Sequence, residues 1–137
     1  MKQTDSEDLI MNFEAQFVAL ENDGEAHTVG FSDSEFDPQT YIILQLDLEP
    51  TEQDVSLGLD EIYITIDDQL RSTYGGVLGM VIHSRSIVIE LSPEAARDLK
   101  VDGDITIDVD VAVPPMKDIK ANLEALANGK FPVRSVD

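Results

Sequence analysis

The sequence contains no cysteine. That excludes a disulfide framework, a thiolate metal site and a cysteine nucleophile. Long apolar runs are absent too, and the longest are far short of a membrane span. The opening residues MKQTDSEDLIMNF lack the charged-then-apolar pattern of a signal peptide. A cytoplasmic protein is therefore expected. Bases are scarce: nine Lys and Arg stand against 28 Asp and Glu, a net charge of −19. From Met1 to Leu70 there are 18 acids and one base, Lys2; from Arg71 to Asp137 there are 10 acids and 8 bases. A field of this sign repels nucleic acid and anionic membrane and steers basic partners. Solubility or a salt-adapted proteome is the competing explanation, although such acidity should spread over the whole chain.

Familiar catalytic signatures are missing as well. HExxH, a GxSxG elbow and CxxC do not occur. His27 and His83 fall in separate predicted strands with no spaced second ligand, so neither is expected to be catalytic or metal-binding. YGGVLG has no following lysine and leads into a β-branched run, which argues against a phosphate loop. DSEFD lacks the glycine and terminal glutamate of an EF-hand loop. No cofactor and no metal are expected.

What is present is alternation of period two, the mark of half-buried strands. Phe13, Ala15, Phe17 and Ala19 read as one strand, Asn22-Asp23-Gly24 as a hairpin turn, and His27 to Phe31 as the next strand. Tyr41 to Leu48 follows, with Ile42, Leu44, Leu46 and Leu48 on one face. A short helical turn is expected after Thr51, then a strand carrying Ile62, Ile64 and Ile66. The stretch after it, through Asp67, Asp68, Arg71, Tyr74, Gly75 and Gly76, reads as a loop. VLGMVIH and SIVIEL form a strand pair. Ser92 as N-cap and Pro93 at the first helical position begin a short helix with Ala95, Ala96 and Leu99 inside. Asp104 to Val111 is the cleanest strand, and Met116, Ile119, Leu123 and Leu126 mark a C-terminal helix ending near Gly129. The 137 residues thus predict one domain, 1–137. Its class is α+β: a largely antiparallel curved sheet of about six to seven strands, one short crossover helix and a C-terminal helix.

Two acidic groups are candidates for partner binding. One is the loop set Asp33, Glu35 and Asp37. The other is the outward stripe Asp104, Asp108 and Asp110, in which Asp108 and Asp110 lie about 6.8 Å apart on one side. A solvated polar face also explains that stripe. Tyr41, Tyr63 and Tyr74 are the available aromatic anchors. Asp67, Asp68, Arg71 and Tyr74 could instead serve a small acidic enzyme or ligand-binding domain, but turn-terminating aspartates partly neutralised by Arg71 account for them without chemistry.

The middle of the chain resembles the immunity protein 10 family of bacterial polymorphic toxin systems. The similarity runs through TYIILQ (Thr40 to Gln45), EQD with Gly58, EIYITIDDQ (Glu61 to Gln69), STYGG (Ser72 to Gly76) and IELSPEAARDL, over roughly residues 12 to 113. Gln45, Asp68, Gln69, Tyr74, Gly75 and Gly76 are its more specific markers. The position after the glutamine, commonly basic in the family, is Leu46 here. The resemblance implies an α+β protein, encoded beside a toxin gene, that neutralises the toxin by binding it without catalysis. Combined with the charge, it implies a basic toxin, with a nuclease as the class expected. No nucleic-acid or membrane partner is expected, and the protein is a monomer or homodimer. An acidic oligomeric module is the remaining alternative.

Overall fold

The computed structural model describes residues 11–36, 40–57, 61–112 and 114–136. The first half of the chain forms β1 (Met11–Ala15), β2 (Phe17–Asn22), β3 (Ala26–Ser32), β4 (Tyr41–Asp47), α1 (Glu52–Ser56), β5 (Tyr63–Ile66) and β6 (Asp68–Tyr74). The second half forms β7 (Val77–Ile82), β8 (Ser86–Leu91), α2 (Pro93–Leu99), β9 (Ile105–Val109), α3 (Met116–Ala127) and β10 (Val133–Ser135).

The class is α+β, as the sequence predicts, but the described strands make two five-stranded sheets. One runs β2-β3-β4-β5-β6 and is antiparallel throughout. The other runs β1-β9-β8-β7-β10, with its outer strands β1 and β10 parallel to β9 and β7. The chain passes directly from one sheet to the other at Gln16 and at Gly75-Gly76, so the sheets are joined along both sides.

The corner at Gln16 corrects the reading of Phe13 to Ala19 as one strand. Ala15 is buried and so is Val18, while Phe17 is exposed. The inward phase therefore slips by one residue at the corner. The Ala15 carbonyl accepts the Asp110 N–H at 2.9 Å within the β1 sheet. One residue later the Gln16 N–H donates to the Ser32 carbonyl at 2.9 Å within the β3 sheet.

Residues 68–74, read as loop, are the edge strand β6. Their alternation is hidden because inward positions are polar: Arg71 Nε donates to the Leu99 carbonyl at 2.9 Å, and Thr73 Oγ1 to Asp98 Oδ2 at 3.3 Å. Strand β10 is silent in the sequence for another reason. It has three residues and no period of its own, and it forms by pairing with β7.

Inward side chains of both sheets meet in one cluster that includes Val29, Leu44, Ile64, Ile87, Ile89, Ile105 and Ile107. Each such buried aliphatic stabilises by roughly 1.5–3 kcal/mol relative to exposure. Leu46 belongs to this cluster, whereas Leu48 lies beyond the strand and is exposed. Helix α2 starts as expected, with Ser92 Oγ accepting the Ala95 N–H at 3.1 Å, and buries Ala95, Ala96 and Leu99. It links β8 to its antiparallel neighbour β9 and packs on β6. Helix α3 buries Ile119, Leu123 and Leu126 against β3, β4 and β10.

Glycine is required at the second corner. Gly75 and Gly76 have φ of 69° and 80°, where a Cβ is strained. A Cβ on Gly76 would stand 2.5 Å from the Ala95 Cβ, and one on Gly75 would stand 2.9 Å from a Glu61 carboxylate oxygen. The Gly76 carbonyl accepts the Ser92 N–H at 2.8 Å, and the Gly75 N–H donates to the Ile62 carbonyl at 2.7 Å. The corner thus fixes α2 and the end of β6 together.

Gly76→Ala should destabilise the fold by roughly 2–4 kcal/mol, the sum of left-handed strain and overpacking. Gly24, also at positive φ but with open space around it, should cost only the first part, about 1–2 kcal/mol. Denaturant unfolding of both variants measures the difference; equal losses would mean that the corner is not sterically closed.

Candidate functional site

The register of the β2–β6 sheet decides what it shows to the outside. Leu20, Val29, Leu44, Ile64 and Thr73 stand side by side on the inner face. The adjacent row, Glu21, Thr28, Gln45, Tyr63 and Tyr74, therefore lies on the outer one. Both longer helices sit on the inner side. Arg71 and Thr73, which hold α2, have inner-face parity. So does His27, whose Nε2 lies 2.6 Å from Asn122 Oδ1 on α3. Neither α2 nor α3 covers the outer face.

At the end of that face the rings of Tyr63 and Tyr74 pack with centroids 4.5 Å apart and planes inclined at 46°. Such a cross-strand pair contributes about 0.5–1.5 kcal/mol beyond its area. Tyr74 nonetheless keeps 47% of its surface exposed. Beside the pair is a cleft of about 480 Å³ lined by Glu25, Ala26, Gln45, Asp47, Glu61, Tyr63 and Tyr74. Every charged residue in that lining is an acid. A neighbouring hollow, also lined by Ala26 and Gln45, adds Glu21 and Asp23. Among the described residues, no hydrogen bond engages the Gln45 amide or the hydroxyls of Tyr63 and Tyr74.

The turn bordering this face is held by its own side chains. Asn22 Oδ1 accepts the Gly24 N–H at 2.9 Å, and Asp23 Oδ1 accepts the N–H groups of Ala26 at 2.8 Å and Glu25 at 2.9 Å. The Ala26 N–H, then that of Glu25, holds the Asp23 carboxyl below its ordinary range.

The outer face of the other sheet is different because bases compensate two of its acids. Arg134 reaches Glu90 at 3.0 Å, and Arg85 reaches Asp110 at 3.6 Å. The predicted stripe lies here, but its members are not equivalent. Asp104 accepts the Leu91 N–H at 3.1 Å, Asp110 is also within 3.4 Å of Gln16 Nε2, and Asp108 is exposed. In the β3–β4 loop, Glu35 is exposed and Asp33 is half-buried, while Asp37 lies outside the described residues. The two acidic groups occupy different regions of the fold.

Among the family markers, Gln45 and Tyr74 share the outer row, and Gly75 and Gly76 form the corner next to it. Asp68 and Gln69 open β6; their side chains lie outside what the structure describes. The alternative set of Asp67, Asp68, Arg71 and Tyr74 does not converge on one place. Asp67 and Tyr74 sit at opposite ends of the β5–β6 hairpin, and Arg71 faces α2. Asp67, at φ 64°, accepts the Tyr41 N–H at 3.0 Å and pairs with Arg71 at 3.2 Å. Those contacts secure the turn. His27 is structural in the same sense: Asn122 donates its amide to the Asp118 carbonyl at 2.8 Å, leaving Oδ1 to accept from His27 Nε2–H. Among the described residues, no three His, Asp or Glu side chains gather as a metal site.

Glu25, Asp47 and Glu61 were not singled out from the sequence as a group. The outward parity of Gln45 and Tyr63 was available there, but recognising β6 as a strand was needed to bring Tyr74 beside them.

An acidic α+β protein whose described residues leave one sheet face open beside an acid-lined cleft has the make-up of a binding protein. Residues 14–117 match the profile of the family described as Immunity protein 10, and the chain belongs to that family. The match runs from the end of β1 through β9, with α1 and α2, and stops at the second residue of α3. Toxin neutralisation is the functional class this membership suggests. No curated protein matches the sequence.

Since the Asp23 pKa is lowered, its hydrogen bonds contribute stability above the ordinary value near 3.8 and lose it as pH falls through the lowered value. The Glu25 and Ala26 amide resonances should therefore stay native-like through the ordinary aspartate range and shift only below it. An NMR titration with the Asp23 midpoint at or above the ordinary value would contradict the turn geometry.

Proposed function

We propose that the protein neutralises a basic bacterial toxin by stoichiometric binding in the cytoplasm, without catalysis. Family membership carries the reading. The acidic cleft supports its electrostatic part: among the described residues that line it, Glu25, Asp47 and Glu61 are the charged ones, so a cationic partner gains attraction there. A nuclease is the toxin class we propose. An enzyme that holds a polyanionic substrate needs the positive field that this protein's −19 complements. Association would be sped by that field, and residence time set by a few desolvated anchors. The predicted groups Asp33, Glu35, Asp37, Asp104, Asp108 and Asp110 contribute to the long-range field on this reading.

The test is co-expression with the toxin encoded beside the gene. The toxin alone should kill the host, and the toxin with this protein should not. In stopped-flow mixing of the purified pair, association should slow by about tenfold or more from low to high salt, with dissociation changing less. Protection with a salt-independent association rate would remove electrostatic steering, and failure to protect would remove the function.

A further inference from the structure

Among the described residues, neither of the two longer helices covers the outer face of the β2–β6 sheet, and the chemistry of its cleft restricts what can cover it. A second copy of this chain would bring another net charge of −19 against the same acids. Nucleic acid and anionic membrane are repelled for the same reason. A bound metal ion needs converging ligands, and among the described residues no such cluster exists. A protein surface presenting a large, planar cation satisfies every feature: a π face in the Tyr63–Tyr74 pair, a free carboxamide at Gln45, and carboxylates on Glu25, Asp47 and Glu61. A guanidinium can stack on a tyrosine ring while its edge donates two hydrogen bonds to a carboxylate, which a lysine ammonium cannot do as a fork.

We infer that this cleft is the docking surface for the toxin, and that it receives an arginine side chain of the toxin over Tyr74, with the surrounding carboxylates taking its N–H groups. This rests on the toxin-binding reading above and adds the surface and the anchoring chemistry. The compensated outer face of the other sheet is not part of the contact. There Glu90 and Asp110 already have protein bases in Arg134 and Arg85, and a partner would have to displace them.

The toxin encoded beside the gene is the probe, mixed with four variants whose folding is checked by thermal melting. The isosteric double variant Glu25→Gln, Asp47→Asn removes two charges with little change of shape and should slow association by about tenfold at low salt. Tyr74→Ala should speed dissociation by about tenfold or more, while Tyr74→Phe keeps the ring and should bind within about threefold of the unaltered protein. Asp108→Asn, on the opposite sheet, removes one charge from the long-range field and nothing from the contact, so it should leave the dissociation rate within about threefold. If Tyr74→Ala fails to fold, the isosteric double variant and Tyr74→Phe decide. Cleft variants that bind like the unaltered protein would overturn the surface while leaving toxin binding intact. A Tyr74→Phe variant as weak as a disrupted cleft would overturn the stacked cation. Absence of binding by the unaltered protein would remove the toxin-binding reading, and the surface with it.

Discussion

The close approach of the Gly75-Gly76 corner to the start of α2 is the contact on which the functional geometry depends. At Gly76 the backbone comes so near Ala95 that only a hydrogen fits where a side chain would stand. The Ser92 N–H then bonds back to the corner at 2.8 Å, beside the hydroxyl that caps the helix. With that joint closed, α2 lies on the inner side of β6, and Arg71 and Thr73 turn toward it. Tyr74 is left facing outward beside Tyr63. The same residues that finish the core thus keep α2 off the opposite face of the sheet.

Charge divides along the same architecture. The bases Arg85 and Arg134 lie with the β1–β9–β8–β7–β10 sheet and meet acids there. Arg71, on the other sheet, is occupied by Asp67 and the last carbonyl of α2, where a cation also suits the helix dipole. Among the described residues, no base lines the cleft beside Tyr74. Part of the lopsided sequence count thus falls on this face, and like charges lining one cleft have a Coulombic cost that a cationic partner relieves.

Much of the fold was legible because burial leaves a period. The inward positions of β3, β4, β8 and β9, the Ser92-Pro93 helix start and the stripe of α3 all follow from apolar spacing and cap chemistry. Three features were hidden for separate reasons. β6 carries polar residues on its inner side, because its neighbour there is a helix end offering a carbonyl. β10 is too short to have a period and exists through its partner. The slip at Gln16 preserves an alternating pattern in the letters while reversing which letters are buried. Of the candidate site, Gln45 and Tyr74 were visible as family markers, but their adjacency is a consequence of register across three strands. The acids around them come from separate segments, two turns apart in the fold, and share no spacing in the sequence.

Carboxyl footprinting of the free protein and of its toxin complex addresses the central claim directly. Carbodiimide-mediated labelling followed by mass spectrometry reads the exposure of individual carboxylates in a chain rich in them. Toxin binding should suppress labelling at Glu25, Asp47 and Glu61, while Asp108 and Glu94 remain as reactive as in the free protein. Suppression at Asp108 with the cleft carboxylates still fully labelled would place the toxin on the other sheet and contradict the assignment of the uncovered face.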